Sequence, residues 1–173
     1  MVPTLQQVEQ LHRKYAPVPQ AFEIVFSHSQ IVWEIAKQLI DKNHLEVDLD
    51  FIQIACLLHD IGTYKLIDAN LNWDEKNYVK HGVLGYELLK SVGIEDAFCE
   101  VARRHSGTGI TKEDIKSRNL PLPEMDYIAR TLEERLVMYA DKFHSKDPKF
   151  NSFETYTVYV QKFGRIKLLS LRN

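Results

Sequence analysis

Six residues of this chain carry side chains able to hold a transition metal and recur where apolar core residues would be expected: His28, His59, Asp60, His81, His105 and Asp141. The His59-Asp60 doublet closes the apolar run Ala55-Cys56-Leu57-Leu58 and is followed by Ile61-Gly62. An imidazole nitrogen beside a carboxylate oxygen can bind one metal ion, and the second oxygen remains free to bridge to another. Gly62 suits a helix C-terminus that needs positive φ, which would place the doublet where a helix opens into a pocket. A single His-Asp pair is more often a hydrogen-bonded core histidine beside a surface aspartate. Six such residues on separate elements strain that explanation, and a bundle core that gathers ligands from facing helices is an established way to build a dinuclear site. The set is rich in nitrogen and poor in sulfur, so one or two divalent transition metal ions (Fe, Mn, Zn, Co or Ni) are expected ahead of calcium, with Mg a weaker choice.

The elements that must position these residues are helical by their periodicity. Thr4 to Tyr15 reads as a short amphipathic helix with Thr4 as N-cap and Leu5, Val8 and Leu11 on its apolar side; His12 falls one residue beyond that stripe and is expected at the surface. From Gln20 to Lys42, Val25, His28, Val32, Ile35 and Leu39 repeat at steps of three and four, which turns His28 inward, whereas His44 lies in a polar connector. Asp48-Leu49-Asp50 offers an N-cap for a helix whose face Phe51, Ile54, Ala55 and Leu58 leads to His59 and Asp60. Thr63 to Asn77 lacks periodicity and is expected to be a loop that walls the pocket. A helix from about Asn77 carries His81, Leu84, Leu88 and Leu89, with Gly85 permitting close approach of a neighbour. Another from Glu95 carries Phe98, Val101, Ala102 and His105, and Ser106-Gly107-Thr108-Gly109 stops it. Thr111 to Ser117 is a short helix before the breaker Leu120-Pro121-Leu122-Pro123. Thr131 with Glu134 forms a capping box for the helix that brings Asp141 to its end. A last helix is expected over 153–171, with Lys162, Arg165, Lys167 and Arg172 on its solvated side.

At 173 residues, 45% hydrophobic and 27% charged, the chain has the balance of one globular domain with a sizeable core. A net charge of -2 and a pI near 6.4 argue against an extended nucleic-acid or anionic-membrane surface. An anionic ligand would be held locally, and Lys80, Arg103, Arg104 and Lys142 flank the metal-capable residues as candidates to bind phosphate oxygens. Each has the alternative of lying on a solvated helix face. Cys56 and Cys99 read as reduced core thiols. Met1 to Ala16 has no apolar leader core and no stretch is long and apolar enough to span a bilayer, so the expected location is cytoplasmic. Trp73, Tyr156 and Tyr159 are expected as exposed aromatics that could serve a homo-oligomer.

Leu57-Leu58-His59-Asp60-Ile61-Gly62 closely resembles the HDIG form of the motif of the HD-domain superfamily of metal-dependent phosphohydrolases. That family's order of a helical histidine, a later His-Asp doublet and a still later aspartate is matched by His28, His59-Asp60 and Asp141, the last within Ala140-Asp141-Lys142. The resemblance spans about Phe26 to His144. It implies an all-α fold, a single-domain helical bundle over 1–173 with its core at about 20–145 and the first and last helices packed on it. His81 and His105 match the extra histidines of a two-metal branch that includes bacterial diadenosine tetraphosphate hydrolases and, more distantly, cyclic-di-GMP phosphodiesterases. The GYP segment of the latter is absent, Thr63 stands where they carry lysine, and no second histidine adjoins His105, which argues against cyclic-di-GMP as substrate. The resemblance further implies one metal on His28, His59, Asp60 and Asp141 and a second on His81 and His105, with Asp60 bridging. A water activated between the ions would then attack phosphorus in line. The expected activity is hydrolysis of a small phosphorylated metabolite, a nucleotide foremost. The alternatives are an HD-type mixed-valence di-iron oxygenase and a non-catalytic binding module; the usual sign of the latter, a missing ligand, is not found.

Overall fold

The computed structural model describes residues 1–146, 150–152 and 155. Among these are seven α-helices: α1 (Leu5–Tyr15), α2 (Pro19–Asn43), α3 (Leu49–Leu58), α4 (His81–Ser91), α5 (Asp96–Arg104), α6 (Lys112–Ser117) and α7 (Leu132–Ala140). Local chemistry sets their starts. Thr4 accepts from the Gln7 amide while the Gln7 side chain accepts from the Thr4 amide, closing a capping box on α1. Asp48 caps α3 by accepting from Phe51 N, Thr111 and Asp114 form a capping box on α6, and Thr131 caps α7 by accepting from Glu134 N. The return half of the box expected at Thr131 is not made, because the Glu134 carboxylate is taken by Arg104 and by the Arg130 amide. α2 ends on His44, exposed and in the left-handed region at φ 51.

α3 is buried on nearly every side through Ile52, Ile54, Ala55, Cys56, Leu57 and Leu58, so it forms the centre of the bundle. α2, α5 and α7 pack around it, and α4 lies between α5 and the turn that follows α3. Val25, Val32, Ala55, Leu58, Leu89, Ala102 and Val137 are fully buried at their contacts, and truncating a leucine such as Leu58 to alanine costs about 2–5 kcal/mol in such a setting. A second, smaller apolar cluster of Ile110, Ile115 and Tyr127 holds the irregular stretch after α5. Among the described residues, no helix is long and apolar enough to cross a membrane.

Several expectations are corrected. The stretch expected as a loop contains two 3-10 helices, Ile61–Leu66 and Glu75–Lys80, joined across an antiparallel bridge between Ile67 and Trp73. α4 therefore begins at His81 rather than near Asn77. Gly62 is not at positive φ; the glycines that are include Gly107 and Gly109. Its reason is steric: a Cβ there would lie 2.0 Å from His81 O and 2.3 Å from Gly85 N. The close approach expected at Gly85 is thus made, with Gly62 as its counterpart. His12 is fully buried, not superficial: Nε2 donates to Leu57 O at 2.7 Å, and Tyr64 OH donates to Nδ1 at 2.8 Å. Trp73 is half-buried, not exposed. The helix expected over 153–171, with Tyr156, Tyr159 and its basic residues, lies outside the described residues.

Candidate metal centre

His59 keeps α-helical angles at the end of α3, and Asp60 departs from them at φ -110 and ψ 9 before the first 3-10 turn. The doublet thus sits where the central helix ends. His28 comes from the middle of α2, His81 is the first residue of α4, His105 caps α5, and Asp141 caps α7. All six residues expected from the sequence come together, with the five besides Asp141 buried.

Asp60 divides its two oxygens between two histidine pairs. Oδ2 lies 3.5 Å from His28 Nε2 and 3.9 Å from His59 Nε2. Oδ1 lies 3.8 Å from His81 Nε2 and 3.9 Å from His105 Nε2, and accepts a hydrogen bond from the Thr63 hydroxyl at 2.8 Å. Asp141 Oδ1 completes the first group at 3.1 Å from His28 Nε2 and 3.5 Å from His59 Nε2.

The tautomers follow from the anchors. His59, His81 and His105 each donate from Nδ1 to the carbonyl three residues earlier: Cys56 O at 2.6 Å, Tyr78 O at 2.7 Å and Ala102 O at 2.8 Å. A carbonyl only accepts, so each Nδ1 carries the proton and each Nε2 presents a lone pair. His81 Nε2 and His105 Nε2 then face one another at 3.0 Å with no proton between them. His59 Nε2 is buried and has no hydrogen-bond partner among the described residues. A cation at each place would relieve these defects, and the donor atoms fall into the groups His28–His59–Asp60, His59–His105–Asp141 and Asp60–His81–His105, with ligand atoms within 4.8 Å of one another. Nitrogen and carboxylate oxygen without thiolate fit a divalent transition metal.

Electrostatics prepare the same atoms. Burial pushes the Asp60 carboxyl upward, but Lys146 and then His59, His81 and His28 overcome it and hold it well below the usual carboxylate range. Asp141 is likewise held well below that range, burial being outweighed by Lys142, His28 and His59. Burial lowers His28 to about 4 and also lowers His81 and His105. Asp60 and Asp141 are therefore ionised and the His28, His81 and His105 rings neutral, the forms a metal requires.

The four basic candidates separate. Lys142 belongs to the site, donating from Nζ to His105 O at 3.2 Å and to Asp141 Oδ2 at 2.6 Å. Arg103 is paired with Glu100 and stacked over Tyr86 at 4.5 Å, and Arg104 is buried against Glu134 at 2.8 Å and Glu100 at 2.7 Å. Their guanidinium groups serve carboxylates, and neither residue is among those that line the cavity. Lys80 is half-buried at the end of its 3-10 turn and is not among the residues that line the cavity. That cavity, about 1160 Å³, reaches from the ligand cluster past Trp73 and Tyr78 to Ser106 through Gly109. Two site residues are absent from the sequence reading: His144, whose Nδ1 meets His28 Nδ1 at 2.9 Å, and Lys146, ion-paired to Asp60 Oδ2. Both follow the last ligand in a segment without helical period, so nothing but proximity to Asp141 marked them.

A helical bundle that encloses a histidine-carboxylate cluster is the setting in which comparison with known proteins is informative. The family model "HD domain" matches residues 25–146, so the chain belongs to the HD-domain family. Among curated proteins it is 31% identical over 142 residues to a tRNA (cytidine(56)-2'-O)-methyltransferase of Picrophilus torridus, covering 82% of this chain and 38% of that one. It is 36% identical over 113 residues to an uncharacterized protein of Methanocaldococcus jannaschii, covering 65% of this chain and 59% of that one. The chain thus spans from about two-fifths to three-fifths of these relatives' lengths. Among solved structures it matches the HD domain of the L. monocytogenes phosphodiesterase PgpH with a TM-score of 0.60 at 16% identity, over 94% of this chain and 84% of that one. The same domain in complex with cyclic-di-AMP gives 0.58 at 17% identity, over 94% and 83%. These likenesses show the fold. The narrower resemblance to diadenosine tetraphosphate hydrolases gains no support from them.

Proposed function

We propose that this HD-domain chain is a metal-dependent phosphohydrolase that cleaves a phosphoester or phosphoanhydride in a small phosphorylated metabolite, a nucleotide foremost. The observation that carries the reading is the division of Asp60 between two histidine pairs, with Oδ2 on His28 and His59 and Oδ1 on His81 and His105. A divalent ion bound there supplies Lewis acidity toward phosphoryl oxygen and lowers the pKa of water. The chain's own residues do the rest. The carbonyls of Cys56, Tyr78 and Ala102 hold three rings in the ligand tautomer, and Asp141 closes the first seat with Lys142 fixing its other oxygen. Lys142 and Lys146 bring positive charge to the cavity floor, where phosphate oxygens would lie. Gly107 and Gly109, both at positive φ, let the backbone approach a ligand without side-chain interference. The aromatic faces of Trp73 and Tyr78 on the cavity wall suit a nucleobase, and the structural neighbour that holds cyclic-di-AMP supports the same class.

Elemental analysis of protein purified without chelator, followed by a phosphate-release screen over mono- and dinucleotides with several divalent ions under air and under nitrogen, tests this reading. The screen includes tRNA, given the name carried by one relative. Metal retention with oxygen-independent phosphate release is expected. Asp60→Ala should lose both while keeping its helical content; unchanged phosphate release in that variant removes the proposal. Iron content with oxygen consumption and no phosphate release would favour the di-iron oxygenase instead.

A further inference from the structure

Among the described residues, two lysines enter the metal centre, and they are placed differently. Lys142 lies against Asp141 Oδ2 and the His105 carbonyl. Lys146 has its ammonium ion-paired to Asp60 Oδ2 and 5.6 Å from the centre of the Tyr78 ring. Oδ2 is the oxygen that faces His28 Nε2 and His59 Nε2, so a metal in the first seat and the Lys146 ammonium call on one atom. The other oxygen, Oδ1, faces His81 and His105 and is held by the Thr63 hydroxyl, a neutral donor. The two seats are therefore unequal: among the described residues, the bridging carboxylate is met by a cationic side chain at Oδ2 and by none at Oδ1. Lysine is suited to yield such a place, because a compact charge on a four-carbon stem can swing without disturbing backbone. The direction open to it is the cavity, whose lining includes Lys146 itself.

We propose that Lys146 is a displaceable counter-cation of the first metal seat. It neutralises Asp60 when no divalent ion is present, leaves Oδ2 when one enters, and then presents its charge to an anion in the cavity. The inference rests on the metal-centre reading above and adds to it a residue, an order of events and a linkage. Metal entry moves the ammonium toward the anion, so the anion in turn favours metal entry, since coupling between two ligands is reciprocal. It also makes the two seats distinguishable by a residue that is a ligand to neither.

The test is calorimetric titration of Mn²⁺ into the chelator-stripped full chain, with and without inorganic phosphate, for the wild type and Lys146→Met. The variant should bind Mn²⁺ about tenfold more tightly at one seat and unchanged at the other. Phosphate should tighten Mn²⁺ binding in the wild type and do so less in the variant. Lys146→Arg, which keeps the charge, should stay near the wild type, and thermal melts check that each protein is folded. If Lys146→Met melts early, Lys146→Gln provides the same comparison. Equal or weaker Mn²⁺ binding in the folded neutral variants, or an undiminished phosphate effect, overturns the role of Lys146 and leaves the metal centre standing. No Mn²⁺ binding by any of the proteins, wild type included, overturns the metal centre and this inference with it.

Discussion

His81 Nε2 and His105 Nε2 lie 3.0 Å apart, although each ring has its one proton on the opposite nitrogen, bonded to a backbone carbonyl. Two lone pairs at that distance repel unless a cation lies beside them. On the metal-centre proposal, the pair and Asp60 Oδ1 form a seat of their own. His81→Ala should lower the metal content by about one ion per chain and leave the ion held by His28, His59 and Asp141. His105→Ala should give the same loss, and the double variant no more. Elemental analysis of the purified variants measures this; a full complement of metal in either single variant would show that the seat lies elsewhere.

Arg104 is buried with Glu134 and Glu100 against it, and its neighbour Arg103 is taken by Glu100 as well. Removing one partner of a buried pair strands the other. Arg104→Ala should therefore cost about 3–5 kcal/mol in denaturant-induced unfolding while metal content per folded chain is unchanged. A phosphate-binding role would give the opposite pattern, a raised KM with stability intact.

Burial takes His12 from 6.5 to about 4, and its neutral ring is satisfied on both sides by Leu57 O and the Tyr64 hydroxyl. Between those values the unfolded chain binds a proton that the folded chain refuses. The contribution to stability is therefore complete above pH about 6.5 and is lost as pH falls toward about 4, a change of about 3 kcal/mol. Urea unfolding at pH 7 and near pH 4.5 should show His12→Leu with a shallower acid loss than the wild type. Equal slopes would show that the His12 ring is charged in the native state.

The helices were legible because caps and periodicity act locally: Thr4, Asp48, Thr111 and Thr131 each start the helix they were expected to start. The metal-capable residues were legible for a different reason, since histidine on an apolar stripe is chemically conspicuous wherever the stripe leads. His12 falls outside the stripe of Leu5, Val8 and Leu11, whereas the buried line on α1 runs from Val8 to His12, one helical turn on. Arg103 and Arg104 were assigned by charge and by closeness to His105, and sequence distance does not reveal that Glu134, thirty positions on, returns to meet Arg104. Lys146 and His144 lie beyond α7 in a segment whose side-chain directions no repeat predicts. The 3-10 turns around Tyr78 were hidden likewise, since runs of six residues carry too few positions to display a period.

Gly62 and Gly85 meet backbone to backbone, and the same contact places Gly62 against the carbonyl of His81. Where Gly62 and Gly85 meet, no side chain stands between the turn that follows Asp60 and the helix that begins with His81, so there is nothing at that contact for substitution to lengthen or trim. On the proposed two-seat reading, the spacing of the seats is in this respect set by the main chain. Descendants of this sequence can retune metal preference by exchanging ligands or the cations around them, but a different inter-metal distance would demand rebuilding the joint itself.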